Sequence, residues 1–182
     1  MSEIQIRRVH TVSDTDIQAL SDVLIDCVEG GASVSFMHPM TREKADVFWR
    51  GVASAVARSE RILVVAEDTS GQFVGTVQVV LNLPENQPHR GDVVKMLVHR
   101  RARNQGVGAA LLAAAEQHAR DAGKYLLVLD TITGHAGDRL YARHGWQRAG
   151  EIPNFALWPD GRPCPTTYYY KQLAEMPERF SN

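Results

Sequence analysis

The chain has 182 residues, 44% of them apolar and 23% charged, and its net charge is −1. That balance suits a single soluble domain, residues 1–182, with a real core, and it argues against nucleic acid or an anionic membrane as the main partner. Two cysteines far apart, no apolar run of 18 residues and an N-terminus reading MSEIQIRRV predict a cytoplasmic protein without a disulfide framework, a membrane span or a signal peptide.

Ile4 to Val9 alternates and reads as the first strand. Ser13 is placed to cap a helix that runs to about Val28, with Ile17, Leu20, Leu24 and Val28 on its apolar side. Ala32 to Met40 is a loop with unusual apolar content, since Val34, Phe36, Met37 and Met40 all require cover. Thr41 can cap a second helix, Arg42 to about Arg58. Arg61 to Glu67 and Gln72 to Leu81 read as a hairpin about the turn Asp68–Gly71. Asn82 to Arg90 carries Pro84 and Pro88 and reads as a loop.

Val93 to Val98 is a short β-branched run, read as a buried strand. A polar segment with Arg100, Arg101 and Arg103 follows, then Gly106-Val107-Gly108, then a helix. Leu111, Leu112, Ala115, Ala119 and Ala122 share one face of that helix, and Gly123 stands at its C-terminal end. Tyr125 to Asp130 is almost continuously apolar, which predicts a strand covered on both faces. A short helix ends near His144, Gln147 to Ile152 and Thr166 to Leu173 read as strands, and Pro153 to Pro165 as a long loop. Residues 174–182 read as a frayed tail. The order is β-α-α-β-β-β-α-β-α-β-β, a mixed α/β arrangement in which the strand–helix–strand unit implies one parallel pairing.

Residues 91–123 carry the chemistry. Strand, basic glycine-containing turn and helix N-terminus form an anion site, because the first N–H groups of a helix lack partners and its dipole favours negative charge. Glycines let a phosphate approach the main chain. The segment lacks the Gly-Lys-Ser/Thr of a P-loop, and Leu111 stands where a dinucleotide fingerprint needs its third glycine. An ordinary turn with surface arginines is the competing reading.

Arg103-x-x-Gly106-x-Gly108, taken with the order of elements, resembles the pyrophosphate loop and fold of the GNAT superfamily of acetyl-CoA-dependent N-acetyltransferases. Residues 30–37, 95–98 and 158–162 are similar to the tabtoxin-resistance acetyltransferase group. The resemblance implies acetyl-CoA as co-substrate, no metal, and an amine acceptor of small-molecule type, with a toxin or antibiotic as one option. A protein or peptide N-acetyltransferase and a non-catalytic acyl-CoA sensor are the alternatives, and a homodimer is compatible with related folds.

The same resemblance implies the site. The main chain of Met96, Leu97 and Val98 would pair with the pantetheine arm. The segment Arg103, Asn104, Gln105, Gly106, Val107, Gly108 and Ala109 would bind the pyrophosphate, with Arg100, where the family often has proline, as a further phosphate contact. A main-chain N–H near Leu97 or Val98 would polarise the thioester carbonyl. Asp92 and Asp130 are the carboxylates expected to take the amine's proton and border the acceptor, although each also fits a structural role at a strand end. Tyr141 matches a helix-borne tyrosine that protonates the leaving sulfur. Gly134 stands where an asparagine is frequent, with Thr133 or His135 as substitutes. Phe36 is the candidate for the acceptor pocket, packing in the core being its alternative.

Overall fold

A computed structural model describes residues 4–174, so the tail expected beyond residue 174 lies outside the described residues. The described elements are β1 (Gln5–Val9), α1 (Asp14–Glu29), α2 (Arg42–Ala57), β2 (Arg61–Glu67), β3 (Phe73–Val80), β4 (Arg90–Val98), α3 (Val107–Asp121), β5 (Leu126–Ile132), α4 (Ala136–Arg143), β6 (Gln147–Leu157) and β7 (Pro163–Gln172). The strands form one sheet in the order β1-β2-β3-β4-β5-β7-β6, in which only the β4–β5 pairing is parallel.

The helix starts follow from their caps. Ser13 Oγ accepts from Asp16 N–H at 3.1 Å, and the Asp16 carboxylate accepts from Ser13 N–H at 2.8 Å, a reciprocal capping box. Thr41 Oγ1 accepts from Lys44 N–H at 3.3 Å. The sheet is covered on both faces, which explains the uninterrupted apolar run of β2. Ile62 and Val64 pack with Leu111, Leu112, Ala115 and Ala119 of α3. Leu63 and Val65 pack with Leu20 and Leu24 of α1 and Trp49 of α2.

The feature that makes a site is a gap in this sheet. β4 pairs with β5 only at Arg90↔Leu126, Gly91↔Leu127 and Asp92↔Val128. Beyond Asp92 the two strands part. On its other edge β4 carries a bulge: Thr76 pairs with Leu97 and Gln78 with Val94, so Lys95 and Met96 together oppose Val77. Lys95 takes φ +53°, a conformation that costs a side-chain-bearing residue energy and is held only by its surroundings.

Several expected boundaries move. β4 begins at Arg90, three residues earlier than the apolar run suggests, because Arg90 to Asp92 supply the pairing to β5. Asp92 is therefore inside the strand, and Asp130 is followed by two further residues of β5. β5 is not covered on both faces. Leu127 and Leu129 are buried, but Leu126 and Val128 are half-buried and Asp130 is exposed, and only the end of the strand, from Asp130 to Ile132, reaches the cleft beside it. β6 continues to Leu157 and β7 starts at Pro163, so the expected long loop shrinks to five residues. Pro153 is tolerated because it falls in a break of register between Ile152 and Ala156, on an edge strand. Met37 stays exposed at 42%, and Ala122 is exposed just past the end of α3.

Candidate active site

The parting of β4 and β5 opens a cleft of about 1140 Å³, larger than most single-ligand pockets. Its lining includes residues 93–98, most of the 103–109 loop, Asp130, His135, Tyr141, Phe36 and Phe155. Of the site residues expected from sequence, Asp92, Arg100, Gln105 and Thr133 fall outside this lining. Gln105 instead donates its side-chain amide to Arg101 O at 3.0 Å.

The free edge of β4 can be read from its ladder. His99 N–H donates to Val74 O at 2.9 Å, and Val98 and Leu97 face Gly75 and Thr76 in regular order. Antiparallel alternation then turns the main chain of Leu97 toward β3 and that of Val98 toward the gap. The Val98 carbonyl accepts from Arg103 Nε at 3.1 Å and from Cys27 Sγ at 3.5 Å. Its N–H is directed into the opening.

After β4, a 3-10 turn at Arg100–Ala102 leads to Asn104 and Gly106, both left-handed with φ +60° and +81°. Such a sequence of turns gathers N–H groups into a concavity, and α3 then starts at Val107 with no side-chain cap on its free N–H groups. The arginines divide. Arg100 is not available to a phosphate as expected, because Asp26 of α1 accepts from both its N–H and its Nε at 2.8 Å. Arg101 is held by Asp68 at 3.3 Å. Arg103 alone of the three lines the cleft. Any anion bound here would therefore meet mainly main-chain N–H groups and the α3 N-terminus. A Cβ on Gly108 would lie 3.4 Å from Leu140 Cδ2, so the position is close-fitting without being blocked. A free strand edge that runs into an uncapped helix N-terminus fits an extended ligand that ends in a pyrophosphate.

On the other side of the gap stand the titratable groups. Asp130 pairs in register with Tyr168. Although Asp130 is open to the cleft by area, the protein packed around its carboxylate strips away enough water to raise its pKa above the ordinary aspartate value; the Lys95 ammonium partly offsets this, and the Asp92 charge adds to it. Asp92 is engaged by Arg90 Nη1 within its own strand. Tyr141 is 4% exposed, packed beside Trp146 and Tyr169, and burial raises its phenol well above the usual tyrosine value, with the Asp130 charge adding to the rise. Thr133 is spent on Thr167 at 2.8 Å, while His135 lines the cleft against Trp158 at 4.8 Å between ring centroids. Of the two residues expected to substitute for the asparagine, His135 lines the cleft and Thr133 does not. Phe36 stacks edge-on to Phe48 at 5.2 Å and lines the same end.

Sequence reasoning passed over Lys95 and Phe155. A lysine in the middle of Val-Val-Lys-Met-Leu-Val was a signal for the first, since a cation inside an apolar strand needs a reason. Phe155 was concealed by its place in an expected loop.

The model of the acetyltransferase (GNAT) family matches residues 20–146. A curated relative, the uncharacterized N-acetyltransferase of the hisH-hisA intergenic region of Azospirillum brasilense, is 30% identical over 162 residues, 87% of this chain and 94% of the relative. Among solved structures, an N-acetyltransferase from Staphylococcus aureus Mu50 superposes with a TM-score of 0.78 at 19% identity, covering 95% of this chain and 100% of that one. The yncA protein of Salmonella typhimurium, assigned as an acetyltransferase and solved with its cofactor acetyl-CoA, gives a TM-score of 0.78 at 18% identity, covering 97% of each chain. At such identities the structural likeness speaks for the fold alone.

Proposed function

Since the chain belongs to the acetyltransferase (GNAT) family and is an N-acetyltransferase, we propose that it acetylates the amine of a small molecule by direct transfer in a ternary complex. One observation carries the small-molecule reading: the cleft is roofed at its acceptor end. The loop between α1 and α2 is stitched across to the β6–β7 turn, with Ser33 Oγ donating to Leu157 O at 2.7 Å and His38 N–H donating to Pro159 O at 3.0 Å. A peptide laid across the sheet would need that roof open. A compact amine, an amine-bearing toxin or antibiotic among them, fits beneath it. We place the enzyme in the cytoplasm on the same reading.

Acetyl-CoA supplies the acetyl group as an activated thioester. The edge of β4 at Met96 to Val98 holds its arm, and the N–H groups of residues 103–109, with Arg103 beside them, hold its pyrophosphate. Val98 N–H is the donor we assign to the negative charge that develops on the reacting carbonyl oxygen. An alkylammonium has a pKa near ~10.4 and must lose a proton before attack. Asp130 takes that role better than Asp92, because its raised pKa narrows the gap to the amine and no side chain of the described residues ion-pairs with it directly. Asp92, held by Arg90, adds negative charge that keeps Asp130 basic. Tyr141, protonated throughout the working range, gives its proton to the departing sulfur.

The test is release of free CoA from acetyl-CoA over two panels, one of small amines and one of peptides with free N-termini or lysines. Turnover with members of the first panel and none of the second is expected. Turnover with peptides alone would overturn the small-molecule reading.

A further inference from the structure

Lys95 is held in a backbone conformation that lysine rarely adopts, and the result is to aim its ammonium into the acceptor end of the cleft. There its Nζ donates to Ser35 Oγ at 2.9 Å and lies 5.9 and 6.0 Å from the ring centroids of Phe36 and Phe48. Ser35 is neutral, and an ammonium has three donors to satisfy. Behind Lys95, on the same face of the sheet, a second cation is equally short of partners. Gln78 pairs in register with Val94, the residue before Lys95, and its Oε1 accepts from Arg61 Nη1. Arg61 Nε and Gln78 Nε2 are buried donors with no partner among the described residues. No carboxylate of the described residues forms an ion pair with Lys95 or Arg61.

Lys95 lines the cleft, and Arg61 stands behind it near enough for its charge to bear on the Lys95 ammonium, with no carboxylate of the described residues paired to either. Buried donors without acceptors are costly, and buried cations more so. A water could satisfy the Gln78 amide, but it neutralises nothing. Among the described residues, the single carboxylate whose charge reaches Lys95 is Asp130, and Asp130 is the group assigned above to the incoming amine. We propose that Lys95, backed by Arg61, receives a carboxylate carried by the acceptor, so that the preferred substrates are amines of amino-acid type rather than plain alkylamines. The acceptor then spans the floor of the cleft, its carboxylate on Lys95 over the Phe36–Phe48 pair and its amine at Asp130. This rests on the N-acetyltransferase reading above and adds the acceptor's second charge to it.

The experiment compares amino acids with their decarboxylated twins, lysine with cadaverine and phenylalanine with phenethylamine, by kcat/KM for CoA release. The wild-type enzyme should prefer each acid by about tenfold or more, the weight of a charge-assisted hydrogen bond. In Lys95→Met that preference should fall to within about twofold, and Lys95→Arg should restore much of it. The KM for acetyl-CoA is the internal control. Equal rates for the twins in the wild type, or a preference that survives Lys95→Met while the melting temperature falls, would overturn the inference and leave Lys95 as a brace for the 32–40 loop.

A second arm stands apart from turnover. The Arg61 Nε–H and Lys95 Nζ signals are followed by side-chain 15N NMR during titration with glutarate. Saturable shifts support the carboxylate seat, and unmoved signals overturn it. Absence of transfer to any amine, with those shifts present, would count against the enzyme reading alone.

Discussion

The Tyr141 phenol and the Asp130 carboxylate stand close enough across the cleft that the charge of one shifts the proton affinity of the other. Burial raises the phenol first and the carboxylate adds to it. A phenol so placed can give a proton at any ordinary pH and does not compete for one. Tyr141→Phe keeps the ring against Trp146 and Tyr169, at 5.7 and 6.1 Å, and removes only the hydroxyl. Turnover should fall about tenfold to a hundredfold, while the KM for acetyl-CoA stays within about threefold. Equal loss of both would mean that the hydroxyl holds the ligand rather than serving the departing sulfur.

Asp130 gives the pH dependence its sign. As a base it works only when ionised, so kcat/KM should rise with pH through its raised pKa and be lost as pH falls below it. Stability runs the other way. Because the folded state favours the protonated carboxyl, it binds more protons than the unfolded chain between the ordinary aspartate value and the raised one. Stability therefore declines as pH climbs through that window. Asp130→Asn should lose the ascending limb of the rate profile and most of its activity, yet melt at a higher temperature than the wild type at neutral pH. A lower melting temperature would show that the Lys95 ammonium outweighs burial at this position.

The order of elements was legible in the sequence because each one carries its own period and punctuation. Ser13 and Thr41 announced two helices, the run at residues 61–67 announced a strand, and Gly106 and Gly108 marked the turn into a third helix. What the sequence concealed lies in relationships between elements. The parting of β4 from β5 depends on where pairing stops, at Asp92↔Val128, and no local pattern encodes that. The bulge at Lys95 depends on register with β3. The capture of Arg100 by Asp26 joins residues 74 positions apart in the chain, so an arginine offered to a phosphate where the family often has proline is held by the fold on a carboxylate.

Glu116 tests whether the support of Tyr141 can be separated from the chemistry. Its side chain is 9% exposed on the apolar face of α3. There it accepts from Trp146 Nε1 at 2.9 Å and from Lys171 Nζ at 2.8 and 2.7 Å. Glu116→Gln leaves the Lys171 ammonium enclosed without its counter-charge and should cost about 3 kcal/mol of stability, the usual penalty for breaking an enclosed ion pair from one side. Denaturant unfolding would measure it. Because Trp146 flanks Tyr141, kcat should fall modestly, and less than in Tyr141→Phe.

The 103–109 loop is tested by two substitutions at one glycine. A methyl on Gly108 would sit 3.4 Å from Leu140 Cδ2, an ordinary contact, so Gly108→Ala should fold normally and bind acetyl-CoA within about fivefold of the wild type. Gly108→Glu places bulk and a negative charge beside the N–H groups that would hold the pyrophosphate, and affinity should drop by about a hundredfold or more. The Gly106 position provides the contrast. Its φ of +81° is open to glycine, and nothing lies within 4 Å of an added Cβ. Gly106→Ala should therefore lose about 1 kcal/mol of stability from backbone strain rather than from a clash. Isothermal titration with acetyl-CoA, read beside the melting temperatures, separates the two effects. If Gly108→Glu binds acetyl-CoA as tightly as the wild type, the pyrophosphate is held by some other part of the cleft, and the path assigned along the β4 edge goes with it.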